Sequence, residues 1–133
     1  MYDVLVAIDD DETRAVAQAR AIADLPGADG GITAHLSHVF TDNPEGASVN
    51  QLSAVRRARE TLKDAGVECV HYEASGEPGP EIVAAAEEID ADSICVSGRK
   101  RSPTGKAVFG SVTQEVILSS DRPVLTVPRP ESE

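Results

Sequence analysis

The chain has 133 residues, with 12 Lys+Arg against 23 Asp+Glu and a formal net charge of −11. That length suits one domain over residues 1–133, and a hydrophobic content of 41% fills its core, which excludes wholesale disorder. A surface this acidic repels nucleic-acid backbones and anionic membranes, and no apolar run is long enough to span a bilayer (Val4–Ile8 is typical), so neither is an expected partner.

Met1-Tyr2-Asp3-Val4 offers no basic segment ahead of an apolar stretch, so no secretory signal is read there and a cytoplasmic location is expected. Cys69 and Cys95 stand in apolar, strand-like contexts without CxxC spacing, which favours buried thiols in a reducing compartment over a disulfide or a metal pair. Only three cations are lysines (Lys63, Lys100 and Lys106), aromatics make up 3% and Trp is absent. Such a composition suggests a proteome adapted to high salt, as in a halophilic archaeon; the alternative is a merely acidic cytosolic protein.

In chain order, Tyr2–Ile8 is a continuous apolar run, as in a strand buried on both faces, and it ends at Asp9-Asp10-Asp11. Ala15, Ala19 and Ile22 recur at helical spacing within Glu12–Leu25, with Asp10 or Asp11 as N-cap and Pro26-Gly27 as the stop. Ile32–Phe40 reads as a second strand, and Thr41–Val49, containing Asn43-Pro44-Glu45-Gly46, as a mobile polar loop. Leu52, Val55, Ala58 and Leu62 mark a second helix closed by Gly66. Val67–Ala74 is a polar, edge-like third strand, and Gly76–Pro80 turns into a third helix carrying Ile82, Val83, Ala86 and Ile89. Ser93–Ser97 is a fourth strand, Gly98–Gly110 a loop, Ser111–Ser120 a fourth helix and Pro123–Val127 a fifth strand. Strict β-α alternation with short connections implies an α/β fold: one doubly wound, Rossmann-like parallel sheet with helices on both faces.

Ligands in such sheets bind beyond the carboxyl ends of the strands, where the winding reverses. The strongest signal at a strand end is the segment from Gly98 to Ser111. It contains four of the twelve cations (Arg99, Lys100, Arg101 and Lys106) within eight acid-free positions, leaving 8 basic against 23 acidic residues elsewhere. Gly98, Gly105 and Gly110 permit close backbone approach, and Gly110-Ser111 opens a helix whose unpaired N–H groups attract anions. Together these features point to phosphate. The competing reading is a Ser111-x-x-Gln114 capping box with the cations as a solvated rim. The spacing is not that of a Walker A loop.

The opening strand ending in Asp9, the second strand ending in His38-Val39 and the Gly76-x-Pro78 turn together resemble universal stress proteins of the UspA type. The closing runs Gly110-Ser111-Val112-Thr113-Gln114-Glu115-Val116 and Arg122-Pro123-Val124-Leu125-Thr126-Val127-Pro128 resemble them too, so the likeness covers the whole chain. The resemblance implies strand order 3-2-1-4-5, with Asp9 and Gly98 facing one crevice. It also implies ATP or a related adenine nucleotide as cofactor, with Mg²⁺ on its phosphates. Asp9 would take the ribose hydroxyls; Ala7, Ile8 and Val39 would line the adenine slot; Gly98, Gly110, Ser111, Val112 and Thr113 would hold the phosphates. Arg99, Arg101 and Lys106 join this set from charge alone.

ATP-binding members carry Gly-x2-Gly-x9-Gly-Ser/Thr. Here Arg101 stands at the middle glycine position, and eight residues rather than nine follow before Gly110. A helix N-cap is the competing role for Asp9, and His38 reads as a strand-end packing residue. The resemblance further implies a homodimer through the last strand, Pro123–Pro128, with Val124, Leu125 and Val127 as an apolar edge.

Two functions follow: a nucleotide-binding stress-response module, at most a slow ATPase, or a nucleotide-free dimeric adaptor acting through protein contacts. A phosphoacceptor receiver domain, suggested by Asp9-Asp10-Asp11, lacks an acceptor Asp after the third strand and a Lys after the fifth.

Overall fold

The computed structural model describes residues 1–40, 52–101 and 107–128. Thr41–Val49 and Lys106 lie outside them. The elements are β1 (Tyr2–Ala7), α1 (Glu12–Ala23), a short turn α2 (Ala28–Gly31), β2 (Ile32–Phe40), α3 (Ser53–Asp64) and β3 (Glu68–Ser75). They continue with α4 (Pro78–Glu88), β4 (Ser93–Arg101), β5 (Ala107–Val108), α5 (Ser111–Ser119) and β6 (Val124–Pro128).

Five strands form a parallel sheet in the order β3-β2-β1-β4-β6, which is 3-2-1-4-5 when only parallel strands are numbered. The doubly wound expectation therefore holds. Alternation along β1 decides the layers. Val4, Val6 and Ile8 join Ala15, Ala19 and Ile22 of α1 and Ala54, Val55, Ala58 and Leu62 of α3 on one face. Leu5 points to the opposite face, with Ile82, Ala85 and Ala86 of α4 and Val116 of α5. A strand sandwiched between two helical layers must be apolar at consecutive positions, which is why Val4–Ile8 contains no polar residue, whereas Asp3 lies at the strand's outer end.

Three local expectations change. Gly98–Gly110 is not a plain loop: β4 continues to Arg101 and doubles back, pairing antiparallel with β5 through Lys100↔Val108 and Arg101↔Ala107. The polar, glycine-flanked sequence conceals this because only two residue pairs carry it. The turn α2 was not expected either. Gly30 there takes φ +77 and its N–H donates to Gly66 O at 3.0 Å, so two glycines hold the α1–β2 connection against the end of α3. Gly66 itself follows the C-cap Ala65 with φ +80, as its position predicts. Third, Val127 is only 5% exposed and belongs to the core, so it is not part of an apolar outer edge.

Register between β1 and β4 ends at Val6↔Cys95. Beyond that pair the two strands separate, and Gln18 of α1 spans the gap. Its Nε2 donates to Ala7 O at 2.9 Å and to Cys95 O at 3.3 Å, with no solvent exposure. Cys95 is wholly buried beside it, and burial pushes its thiol up to about 12 against the lowering effect of the Gln18 contact. Cys69 is half-buried, and burial likewise raises its thiol. Among the described residues no helix is long and apolar enough to cross a membrane.

Removing the Gln18 amide leaves the buried Cys95 carbonyl and the half-buried Ala7 carbonyl without this donor, and a buried unpaired group costs about 1–3 kcal/mol. Gln18→Ala is accordingly expected to destabilise the fold by about 3 kcal/mol, read as a lower urea midpoint at unchanged slope. A midpoint within error of the parent protein would show that the bridge contributes nothing.

Candidate functional site

The crevice begins where β1 ends. Ile8 N–H still donates to Ser37 O of β2 at 2.8 Å, and the chain then turns through Asp9-Asp10-Asp11. Asp11 N–H donates to Asp9 Oδ1 at 2.9 Å, an Asx-type closure of that turn. Asp11 is also the N-cap of α1, accepting from Arg14 N–H at 3.1 Å. Of the three candidates for that cap, Asp9, Asp10 and Asp11, it is Asp11 that holds it. Asp9 Oδ2 instead accepts from Arg14 Nη1 at 3.0 Å.

On the β2 side, His38 Nδ1 lies 2.8 Å from Ile8 O. A carbonyl can only accept, so Nδ1 carries the proton. His38 thus ties the ends of β1 and β2 together while forming part of the crevice wall, a fuller role than strand-end packing.

The opposite wall comes from β4 and α5. Gly98 sits at the register shift between Ser97 and Arg99 with φ +112, a conformation L side chains rarely adopt. Thr113 Oγ1 donates to Ser97 O at 2.6 Å, latching the first turn of α5 to this bulge, and the residue is 5% exposed. Gly110 is the N-cap of α5 with φ −68 and ψ 163, so no positive φ accounts for its glycine. A Cβ built there meets nothing within 4 Å, so its hydrogen keeps space open in front of the helix.

The Ser111-x-x-Gln114 capping box does not form. Ser111 is the first helical residue rather than the cap, no side chain caps α5, and Gln114 N–H makes the ordinary helical bond to Gly110 O at 2.9 Å. A serine followed three residues later by glutamine has the right spacing, but a one-residue offset in the helix start removes its geometry. The first-turn N–H groups of α5 are consequently uncapped by side chains and face the crevice.

These walls enclose about 520 Å³. Of the twelve residues expected in the site, nine line it: Ala7, Ile8, Asp9, Val39, Gly98, Gly110, Ser111, Val112 and Thr113. Lys106 lies outside the described residues, and for Arg99 and Arg101 the backbone alone is placed, opposite Pro128 and Ala107. Sequence reasoning missed Arg14, Ser97, Pro78 and Ile82, which also line the crevice. Pro78 was visible within the Gly76-x-Pro78 turn, whereas Arg14 carried no signal because its side chain folds back toward Asp9.

The lining is divided chemically. Ala7, Ile8, Val39, Ile82 and Val96 offer apolar surface, while Asp9, Arg14, Ser97 and the α5 terminus offer polar groups. Two polar atoms in this wall are buried without a hydrogen-bond partner: Ser97 Oγ and Arg14 Nε. Buried polar atoms are costly when unpaired.

The sequence matches the universal stress protein family over residues 1–128. Among curated relatives, universal stress protein MJ0577 of Methanocaldococcus jannaschii is 34% identical over 74 residues, covering 56% of this chain and 46% of that protein. A universal stress protein of Mycolicibacterium smegmatis is 38% identical over 47 residues, covering 35% of this chain and 36% of that protein. The matched stretches thus span less than half of either relative. Solved structures align more fully. A universal stress protein from Archaeoglobus fulgidus superimposes with a TM-score of 0.76 at 30% identity, covering 96% of this chain and 98% of that one. The M. jannaschii MJ0577 structure gives 0.71 at 26%, covering 98% of each chain. An A. fulgidus universal stress protein in complex with dAMP gives 0.71 at 23%, a likeness of fold, covering 96% of this chain and 98% of that one. With the family matched from Met1 to Pro128 and the five-stranded order in place, this chain belongs to the universal stress protein family.

Proposed function

We propose that the chain is a stress-response module that binds an adenine nucleotide, ATP in its fullest form, in the crevice between Asp9 and the start of α5. The observation that carries this reading is the uncapped N-terminus of α5 facing a carboxylate across an apolar slot. Structures of the same fold solved with cAMP, dAMP and AMP support it. In this reading Ala7, Ile8 and Val39 sandwich the base and Asp9 accepts hydrogen bonds from the ribose. The phosphates meet the N–H groups of Ser111, Val112 and Thr113, approached through the gaps at Gly98 and Gly110. Mg²⁺ would ride on the phosphates, which offer it oxygen ligands.

One observation favours the nucleotide-free adaptor instead. The β4–β5 pairing draws Arg101 into a strand, at the position where nucleotide-binding relatives keep a turn glycine. Thermal melting separates the two readings. An adenine nucleotide at 100 times its dissociation constant is expected to stabilise the protein by about 2.7 kcal/mol. Gly110→Val, which fills the open space before α5, is expected to raise the dissociation constant about tenfold or more, or about 1.4 kcal/mol. No shift with ATP, ADP or AMP, and no nucleotide released from the purified protein on denaturation, would establish the adaptor.

We also propose a homodimer through β6. As the outermost parallel strand it leaves one side unpaired by any described residue, and its half-buried Val124 and Leu125 already pack against the two cores. Sedimentation of dilute protein is expected to give about twice the 14.0 kDa of one chain; a lone 14.0 kDa species would sink this.

The lysine-poor acidic composition supports adaptation to high salt, cytoplasmic in location. Melting temperature is expected to rise from dilute buffer into molar KCl as self-repulsion is screened. A flat or falling curve would count against it.

A further inference from the structure

The margin of the sheet opposite β6 is β3, which pairs with β2 on one side and with no described strand on the other. Its side chains divide by alternation. Cys69 packs on the α1–α3 core and Tyr72 on the α4–α5 core, so His71 and Glu73 share the α3 side with Cys69. On the far side, Tyr72 Oη donates to a Glu88 carboxylate oxygen of α4. The α3 side has no such tie for its imidazole. His71 Nε2 is closed off from solvent and has no hydrogen-bond partner, and the ring stands in register with Leu36, which has no solvent exposure.

α3 brings cations to this side. Val55, Ala58 and Leu62 are its buried stripe, Arg59 is half-buried beside them, and Lys63 follows one turn later. The charges that reach the His71 ring are Arg59 from α3 and the exposed Glu73 from β3 itself, while β2 offers only Leu36. Burial holds the imidazole below its ordinary 6.5, Arg59 adds to the lowering, and Glu73 opposes it. Cys69, two residues away, is raised by burial against the charges of Lys63 and Arg59.

We propose that His71 is an acid-operated latch: protonating its enclosed ring beside Arg59 releases the β3 margin of the sheet from α3. A proton there adds a second positive charge next to Arg59 and a donor with no acceptor. Opening lets water reach the ring, which then takes a proton at its ordinary affinity. Linkage fixes the sign. The open form binds more protons, so the closed form is fully favoured above about pH 6.5 and loses ground as pH falls through that value. What the release presents is an unpaired strand edge, the surface that an extended segment of a partner protein pairs with. None of these residues lines the crevice, so the latch stands apart from nucleotide binding.

Two measurements on the wild-type protein test this without any variant. In an NMR titration of the imidazoles, His71 is expected to titrate below 6.5. Titration at or above that value would overturn the latch, because the closed packing would then not resist the proton. Amide hydrogen exchange, corrected for intrinsic rate, reads the opening itself. Between about pH 7.5 and about pH 5, Glu68–Ser75 is expected to lose protection about threefold or more. Unchanged protection would overturn the proposal.

Variants assign the response, each first shown by its melting curve to be folded at neutral pH. His71→Gln, uncharged throughout, is expected to abolish the loss of protection, and Arg59→Gln to reduce it. An equal loss in His71→Gln would sink the idea, since it would move the acid response to the His35–Asp3 or Tyr72–Glu88 contact.

Discussion

The separation of β1 from β4 beyond Val6 and Cys95 is the constraint on which the carboxyl end of this molecule depends. Two central strands whose connections run in opposite directions cannot both keep a neighbour there, and the carbonyls they abandon must find other donors. Gln18 supplies one amide to two of them from a fully buried position on α1. The opening is thereby fixed in width by a side chain rather than by a ladder. Asp9 and His38 stand on the β1–β2 lip of the crevice, and Gly98 and Thr113 on the β4–α5 lip.

The two lips differ in how they are held. The β1–β2 side is a net of hydrogen bonds among a turn, a helix cap and an arginine. The β4–α5 side has a glycine bulge latched by one threonine hydroxyl and a helix start left without a side-chain cap. The first arrangement fixes a negative charge in place, and the second leaves a field of N–H donors uncommitted. The crevice is thus negative on one side and donor-rich on the other.

Much of this was legible in the sequence because it is local. Asp9, Gly98 and Gly110 stand at strand and helix ends, where periodicity breaks, and residue type there reports directly on what the backbone must do. The parallel doubly wound sheet and the two-faced burial of β1 follow from short connections and an uninterrupted apolar run, whereas the strand order was implied by the family resemblance. What escaped notice depends on side chains that leave their own element. Gln18 meets Cys95 across 77 positions, and Arg14 turns back onto a carboxylate in the preceding turn. Ser111 and Gln114 misled in the opposite way, since spacing alone cannot tell whether a serine is the cap or the first helical residue. The hairpin between β4 and β5 was hidden by its brevity, two residue pairs amid polar and glycine positions.

Gly98 has a place in the mechanics of the sheet as well as in the crevice wall. The register between β4 and β6 shifts between Ser97 and Arg99, so the same residue that borders the crevice also sets how the outermost strand lies against its neighbour. A bulge turns one extra residue into a change of strand direction and twist. The orientation in which this protein offers its unpaired margin to the outside is therefore decided at a hinge-like point inside, one residue from a buried serine hydroxyl still lacking a partner.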